Sequence, residues 1–218
     1  MPEGVKEAAA RANEWISPYA RGIALHPGQL GPGSGARDFS GRAYELLSAL
    51  VEARALTQEA SANILKCSRR TANSALKTLW YAGMARWVDV FTVVGPFRLW
   101  LPAESRPPLD AQEACRLAVY GLFFSLAKKE VPGFNWQLVK GKNSCLQAQM
   151  AFNGANGPEK WLIDAPRLEE EINSAADVYI LPMEGRKGEI PGKKFTLDEL
   201  LLRPGMLKEK IKLIENFS

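Results

Sequence analysis

Residues 57–84, TQEASANILKCSRRTANSALKTLWYAGM, limit the fold more than any other stretch of the chain. Thr57 can open a short helix by accepting a bond from its free backbone N–H groups. Ala60, Ile64 and Leu65 give that helix an inward side. Lys66-Cys67 makes a turn, and Ser68 caps a longer helix in which Thr71, Ala72, Ala75, Leu76 and Leu79 recur at spacings of three and four, one apolar face. Gly83 stops that helix. Its other face shows Ser68, Arg69, Arg70, Asn73, Ser74 and Lys77. An apolar back with such a front suits entry into the DNA major groove. Arg spans guanine O6 and N7, Asn spans adenine N6 and N7, and Ser and Lys hold phosphates. The plainer alternative is a helical hairpin with a solvated basic face.

The flanks favour the first reading. Phe39 to Ala53 has the periodicity of a helix, with Tyr44, Leu47, Leu50 and Val51 on one side. Ala85 to Phe91 and Phe97 to Leu101 read as strands joined through Gly95-Pro96. Three helices followed by a hairpin, carried by LTQEASANILKCSRRTANSALKTLWYAGMARW, resemble the winged helix-turn-helix superfamily. In that superfamily the second helix of the motif reads DNA. The resemblance implies contacts from Ser68, Arg69, Arg70, Thr71, Asn73, Ser74 and Lys77, with Arg98 the first charge past the wing tip. The tip itself, Thr92 to Phe97, is apolar, which suits packing on protein better than contact with a minor groove.

Charge placement agrees. The formal net charge is +4. Residues 38–103 hold eight Lys/Arg against five Asp/Glu, residues 1–37 net +1, and residues 104–218 balance. A phosphate-binding surface needs its excess where the reader lies. Apolar content of 46% and charged content of 24% suit a globular chain without a membrane span or signal peptide, expected in the cytoplasm. Cys67, Cys115 and Cys145 are odd in number and lack zinc spacing, so reduced thiols are expected.

The expected fold class is α+β, in four parts. Residues 1–25 read as an N-terminal helical arm: Val5 to Arg21 places Ala8, Ala12, Trp15 and Ile16 on one side, and Pro18 ends or bends the helix. Residues 26–37 read as a flexible Pro/Gly/Ser linker, with the lone histidine, His26, solvated in it. Residues 38–103 form the winged-helix segment. After a Pro-rich break, residues 109–218 form a small α/β domain. In it, Asp110 to Glu130 is a helix apolar almost all round and hence buried. Strands follow at Phe134 to Lys140, Cys145 to Asn153 and Lys160 to Asp164. An acid-rich helix at Pro166 to Ala175 and a strand at Asp177 to Leu181 come next, then a helix at TLDELLL and a basic helix at MLKEKIKLIENF.

Helix, three strands, helix, strand resembles a degenerate restriction-endonuclease-like core. An active one would need an Asp and a Glu-x-Lys on neighbouring strands to hold Mg²⁺. Here those strands offer Gln147 and Gln149, Glu159-Lys160 is misspaced, and Asp164 stands alone. The layout over residues 39–182 resembles the replication-relaxation family of plasmids and mobile elements. Lys140 to Ser144 lacks the upstream glycine of a phosphate loop and reads as a basic turn, and Glu169-Glu170-Glu171 reads as a solvated helix face.

The expectation is therefore a non-enzymatic, sequence-specific binder of double-stranded DNA, a bacterial or mobile-element regulator of transcription or replication. No catalytic residue, cofactor or metal is expected. A homodimer is expected through the arm and the apolar wing tip around Val94 and Phe97, with a protein partner open to the C-terminal domain and no membrane. The alternative is a protein–protein module that binds no nucleic acid, and a divergent nuclease ranks last.

Overall fold

The computed structural model describes residues 15–33, 40–141, 145–154 and 157–213. It is mixed α+β, with two sheets and several helices. Strand β1 (Gly22–Pro27) comes first, then α1 (Gly41–Ala53), β2 (Leu56–Thr57), α2 (Gln58–Leu65) and α3 (Arg69–Tyr81). A hairpin of β3 (Ala85–Thr92) and β4 (Pro96–Pro102) leads to the long α4 (Ala111–Glu130). Then come β5 (Asn135–Lys140), β6 (Leu146–Gly154), β7 (Gly157–Asp164) and β8 (Val178–Leu181). After a 3₁₀ turn at Glu184–Glu189 the chain adds β9 (Lys194–Leu197), α5 (Asp198–Leu202), α6 (Leu207–Lys210) and β10 (Lys212–Leu213).

The first sheet has the order β1-β3-β4-β2 and is antiparallel throughout. Its register separates two faces. Val88 opposite Leu99 and Val90 opposite Phe97 turn inward, while Trp87 opposite Trp100 and Asp89 opposite Arg98 share the other side. The second sheet runs β10-β9-β8-β7-β6-β5. Strands β5, β6 and β7 form an antiparallel meander, and β7, β8 and β9 are parallel.

Helix α4 lies between the sheets. Asp110 caps it by accepting from the Glu113 N–H at 2.8 Å, and Lys128 and Lys129 occupy the last turn, where cations suit the helix dipole. From Ala114 to Ala127 every residue is buried, as its all-round apolar sequence requires. One hydrophobic cluster consequently runs from Tyr19 through Leu76, Leu99 and Phe123 to Ile163 and Leu207.

Several elements differ from the sequence expectation. Gly22–Pro27, read as the end of the arm and the start of the linker, is a strand: Leu25 and His26 pair with Val90 and Asp89 of β3. Residues 15–21 are turn and coil, and the rest of the expected arm helix, residues 5–14, lies outside the described residues, as do 34–39. Pro166 to Ala175 is not a helix, because its polar groups are spent on tertiary bonds. Glu170 accepts from Arg116 and from the Arg167 N–H, and Arg186 donates to the Arg167 and Glu170 carbonyls. In the tail, Thr196 and Leu197 of the expected TLDELLL helix belong to β9, and Asp198–Leu202 is helical as expected. Of the expected helix MLKEKIKLIENF, only the single turn Leu207–Lys210 is helical among the described residues, Lys212 and Leu213 pair with β9, and residues 214–217 lie outside them. In α1 the buried set is Ala43, Leu46, Ala49, Leu50 and Ala53, which leaves Tyr44 and Val51 exposed.

Candidate nucleic-acid interface

Local chemistry fixes the pair α2 and α3. Thr57 Oγ1 accepts from the Ala60 N–H at 3.2 Å, and Ser68 Oγ accepts from the Thr71 N–H at 3.2 Å. Lys66 makes the tight turn in a left-handed conformation, φ 49°. Gly83, φ 73°, ends α3: its N–H reaches the Trp80 carbonyl at 2.8 Å, and the Met84 N–H reaches that of Leu79 at 2.9 Å. A side chain at Gly83 would strain this αL cap.

Helix α3 buries Ala72, Ala75, Leu76 and Leu79 and turns its other side outward. Ser68, Arg69, Arg70, Ser74 and Lys77 are exposed, and Thr71 and Asn73 are half-buried. The seven expected residues are not equivalent. The Ser68 and Thr71 hydroxyls lie 3.0 Å apart in the cap itself. Arg69 faces Glu59 at 3.4 Å, and its carbonyl accepts from Gln58 Nε2 at 2.8 Å. Among the described residues, the side chains of Arg70, Asn73 and Lys77 have no hydrogen-bond or ion-pair partner. At spacings of three and four they form one stripe along the helix.

Arg98 is placed differently from the expectation of a free wing cation. Nε and Nη2 make a two-pronged pair with Asp89 at 2.8 and 3.1 Å, and the guanidinium sits 4.6 Å over the Trp87 ring. The cross-strand register puts the two charges face to face. The pair borders a cleft of about 310 Å³ that also takes in Gln58 and Asn73, so α3 and the hairpin share one recess. Of the apolar tip, Phe97 packs edge-on against Tyr19 at 4.9 Å, whereas Val93 and Val94 remain exposed.

Three tryptophans join helix to hairpin. The Trp80 and Trp87 rings lie 4.9 Å apart, Trp87 and Trp100 5.3 Å apart, and Trp80 Nε1 donates to the Gln29 carbonyl at 2.9 Å. At Gly31 a Cβ would stand 1.7 Å from the Trp80 carbonyl oxygen, so only glycine permits the chain to pass there. Gln58, Asp89 and Trp87 were missed as members of this surface. A hairpin register counted outward from the Thr92–Gly95 turn would have found Asp89 opposite Arg98.

The second region presents its acids differently. Asp164 is buried and receives Arg116 at 3.0 Å and the Ala165 N–H at 3.0 Å, and Arg116 also reaches Glu170 at 2.7 Å. Among the described residues, no group of three or more His, Cys, Asp or Glu side chains is placed to hold a metal ion. All three cysteines are unpaired. Burial pushes the Cys115 thiol up to about 12, which keeps it from acting as a thiolate near neutrality. His26 is exposed on β1, its ring 4.8 Å from Phe91.

Among the described residues, no helix is long and apolar enough to cross a membrane. Comparison with family models, with curated proteins and with solved structures found no match for this chain.

Proposed function

We propose that residues 40–102 act as a winged helix-turn-helix that binds double-stranded DNA with sequence preference, α3 reading the major groove and the β3–β4 hairpin lying alongside. The observation that supports this most is the stripe of Arg70, Asn73 and Lys77. It is free of partners among the described residues, stands on a buried apolar back, and sits on a helix capped at both ends. The protein on this reading is a non-enzymatic regulator of transcription or replication in a bacterium or mobile element, working as a homodimer in a reducing compartment. The likeness to replication-relaxation proteins belongs to the same proposal. The test is selection of bound sequences from random duplexes, followed by binding titrations at several salt concentrations.

Within the selected site, Arg70→Ala or Asn73→Ala is expected to cost about 1–3 kcal/mol and to relax preference at one position. Lys77→Ala should instead weaken all sequences alike and flatten the salt dependence by about one phosphate contact. Wild-type binding by all three variants would remove the assignment.

Asp89→Asn gives an opposite sign. It deletes the carboxylate that holds Arg98 and removes one negative charge from the same surface. Duplex affinity is expected to rise about fivefold at low salt, with a steeper salt slope. An unchanged or weaker affinity would show that the hairpin stands away from the DNA.

A second reading, a protein-docking module, is favoured by that same neutralised arginine and by the exposed Val93 and Val94 at the tip. Absence of salt-dependent duplex binding would leave it as the better account.

A further inference from the structure

Beside the turn between α2 and α3 the chain forms a cleft of about 450 Å³, closed on its far side by α4 and α5. That volume falls within the usual range for small-molecule sites. Leu122, Leu126 and Leu201 back its inner wall but are nearly fully buried, and its accessible apolar surface comes from Ala62, Leu202 and Pro204. Its walls bring in Lys129, Arg203 and Arg69. One carboxylate, Glu59, lies among the lining residues, and Arg69 faces it at 3.4 Å. Arg203 pairs with Glu199, while Lys129 has no carboxylate partner among the described residues. The lining therefore carries more positive than negative charge beside a small apolar wall.

We infer that this cleft binds a small organic anion, an acidic group on a compact apolar body, and that the occupant regulates DNA binding. The acid meets Lys129 and Arg203, and the body rests on Ala62, Leu202 and Pro204. A backbone phosphate of DNA would make no use of that apolar wall. The regulatory half rests on the DNA-binding reading. Ser68 and Arg69, which open α3, are also walls of the cleft, so an anion inside adds negative charge beside the end of the helix that faces DNA on that reading. The coupling is then negative, and by thermodynamic linkage it is the same factor in both directions.

The probe is anilinonaphthalene sulfonate, a sulfonate on an aromatic body, titrated by fluorescence into the full-length protein. A saturable site is expected, weakened about tenfold or more in the Lys129→Ala, Arg203→Ala double variant. It should also be blocked by Ala62→Phe, which fills the cleft from α2. Unchanged binding in both variants overturns the site. So does loss of the signal only with Phe152→Glu, which lies in the separate apolar groove beneath α6. Saturating duplex should weaken the probe by the factor by which the probe weakens the duplex, and independence of the two overturns the regulatory half. If wild-type protein binds no duplex, the DNA reading alone falls, because the two cleft variants still decide whether the anion site exists.

Discussion

Replacing Arg167 with Met is expected to destabilise the protein by about 3–5 kcal/mol or more. Arg167 is fully buried, and its Nη1 meets the equally buried Asp198 at 2.7 Å. The same guanidinium donates to the backbone carbonyls of Ala165 at 3.0 Å, Tyr19 at 3.2 Å and Ile180 at 2.7 Å. Met at this position strands a buried carboxylate, and each orphaned carbonyl adds to the cost. Burial raises the pKa of Asp198 and Arg167 opposes that rise. Removing Arg167 therefore lifts the folded-state pKa further. A carboxyl whose folded pKa lies above its unfolded value favours the fold most below the ordinary carboxylate range, and that contribution is lost as pH rises through the folded value. The deficit of the variant should accordingly be smaller near pH 4 than near pH 7, as read by urea denaturation at each pH. A deficit that grows in acid would overturn this account.

Phe123→Ala is expected to cost about 3–5 kcal/mol and to loosen both sheets together. Phe123 is fully buried on α4, its ring 6.2 Å from Trp136 of β5. The cluster it belongs to contains Val90 of the first sheet and Met150 of the second. Because α4 supplies core to both, unfolding should be one transition. Hydrogen exchange at Val90 and Met150 should lose protection in step as urea is added. Two separate transitions, with Phe123→Ala moving one alone, would show that the sheets are energetically independent.

Much of the α2–α3 pair was legible because its determinants are local. The caps at Thr57 and Ser68, the spacing of Ala72, Ala75, Leu76 and Leu79, and the stop at Gly83 are all statements about residues within about two turns of each other. The burial of α4 was legible for the same reason: a helix apolar on every side has nowhere else to go. What escaped depends on partners far along the chain. Strand β1 carries Pro and Gly neighbours that read as linker, and only its pairing with β3, more than 60 residues later, makes it a strand. The acids of residues 169–171 looked like a helix face, yet Glu170 is consumed by two arginines, one of them 54 residues away in sequence. The exposed side of α3 could be read from sequence, whereas the restraint of Arg98 by Asp89 and the cleft behind Arg69 required the packing of distant elements.

The tryptophan ladder has a consequence for how such a protein would choose its site. Trp80 belongs to α3, Trp87 and Trp100 to the hairpin, and each ring rests on the next. Helix and hairpin are thereby held as the two jaws of a fixed gauge, with the Gln29 carbonyl bonded to the Trp80 indole as its pin. On the proposed DNA-binding reading, jaws that do not open cannot adapt to a groove of the wrong width, and the duplex would have to supply the deformation. Sequences that widen or bend at low cost would then be favoured even at base pairs no side chain touches.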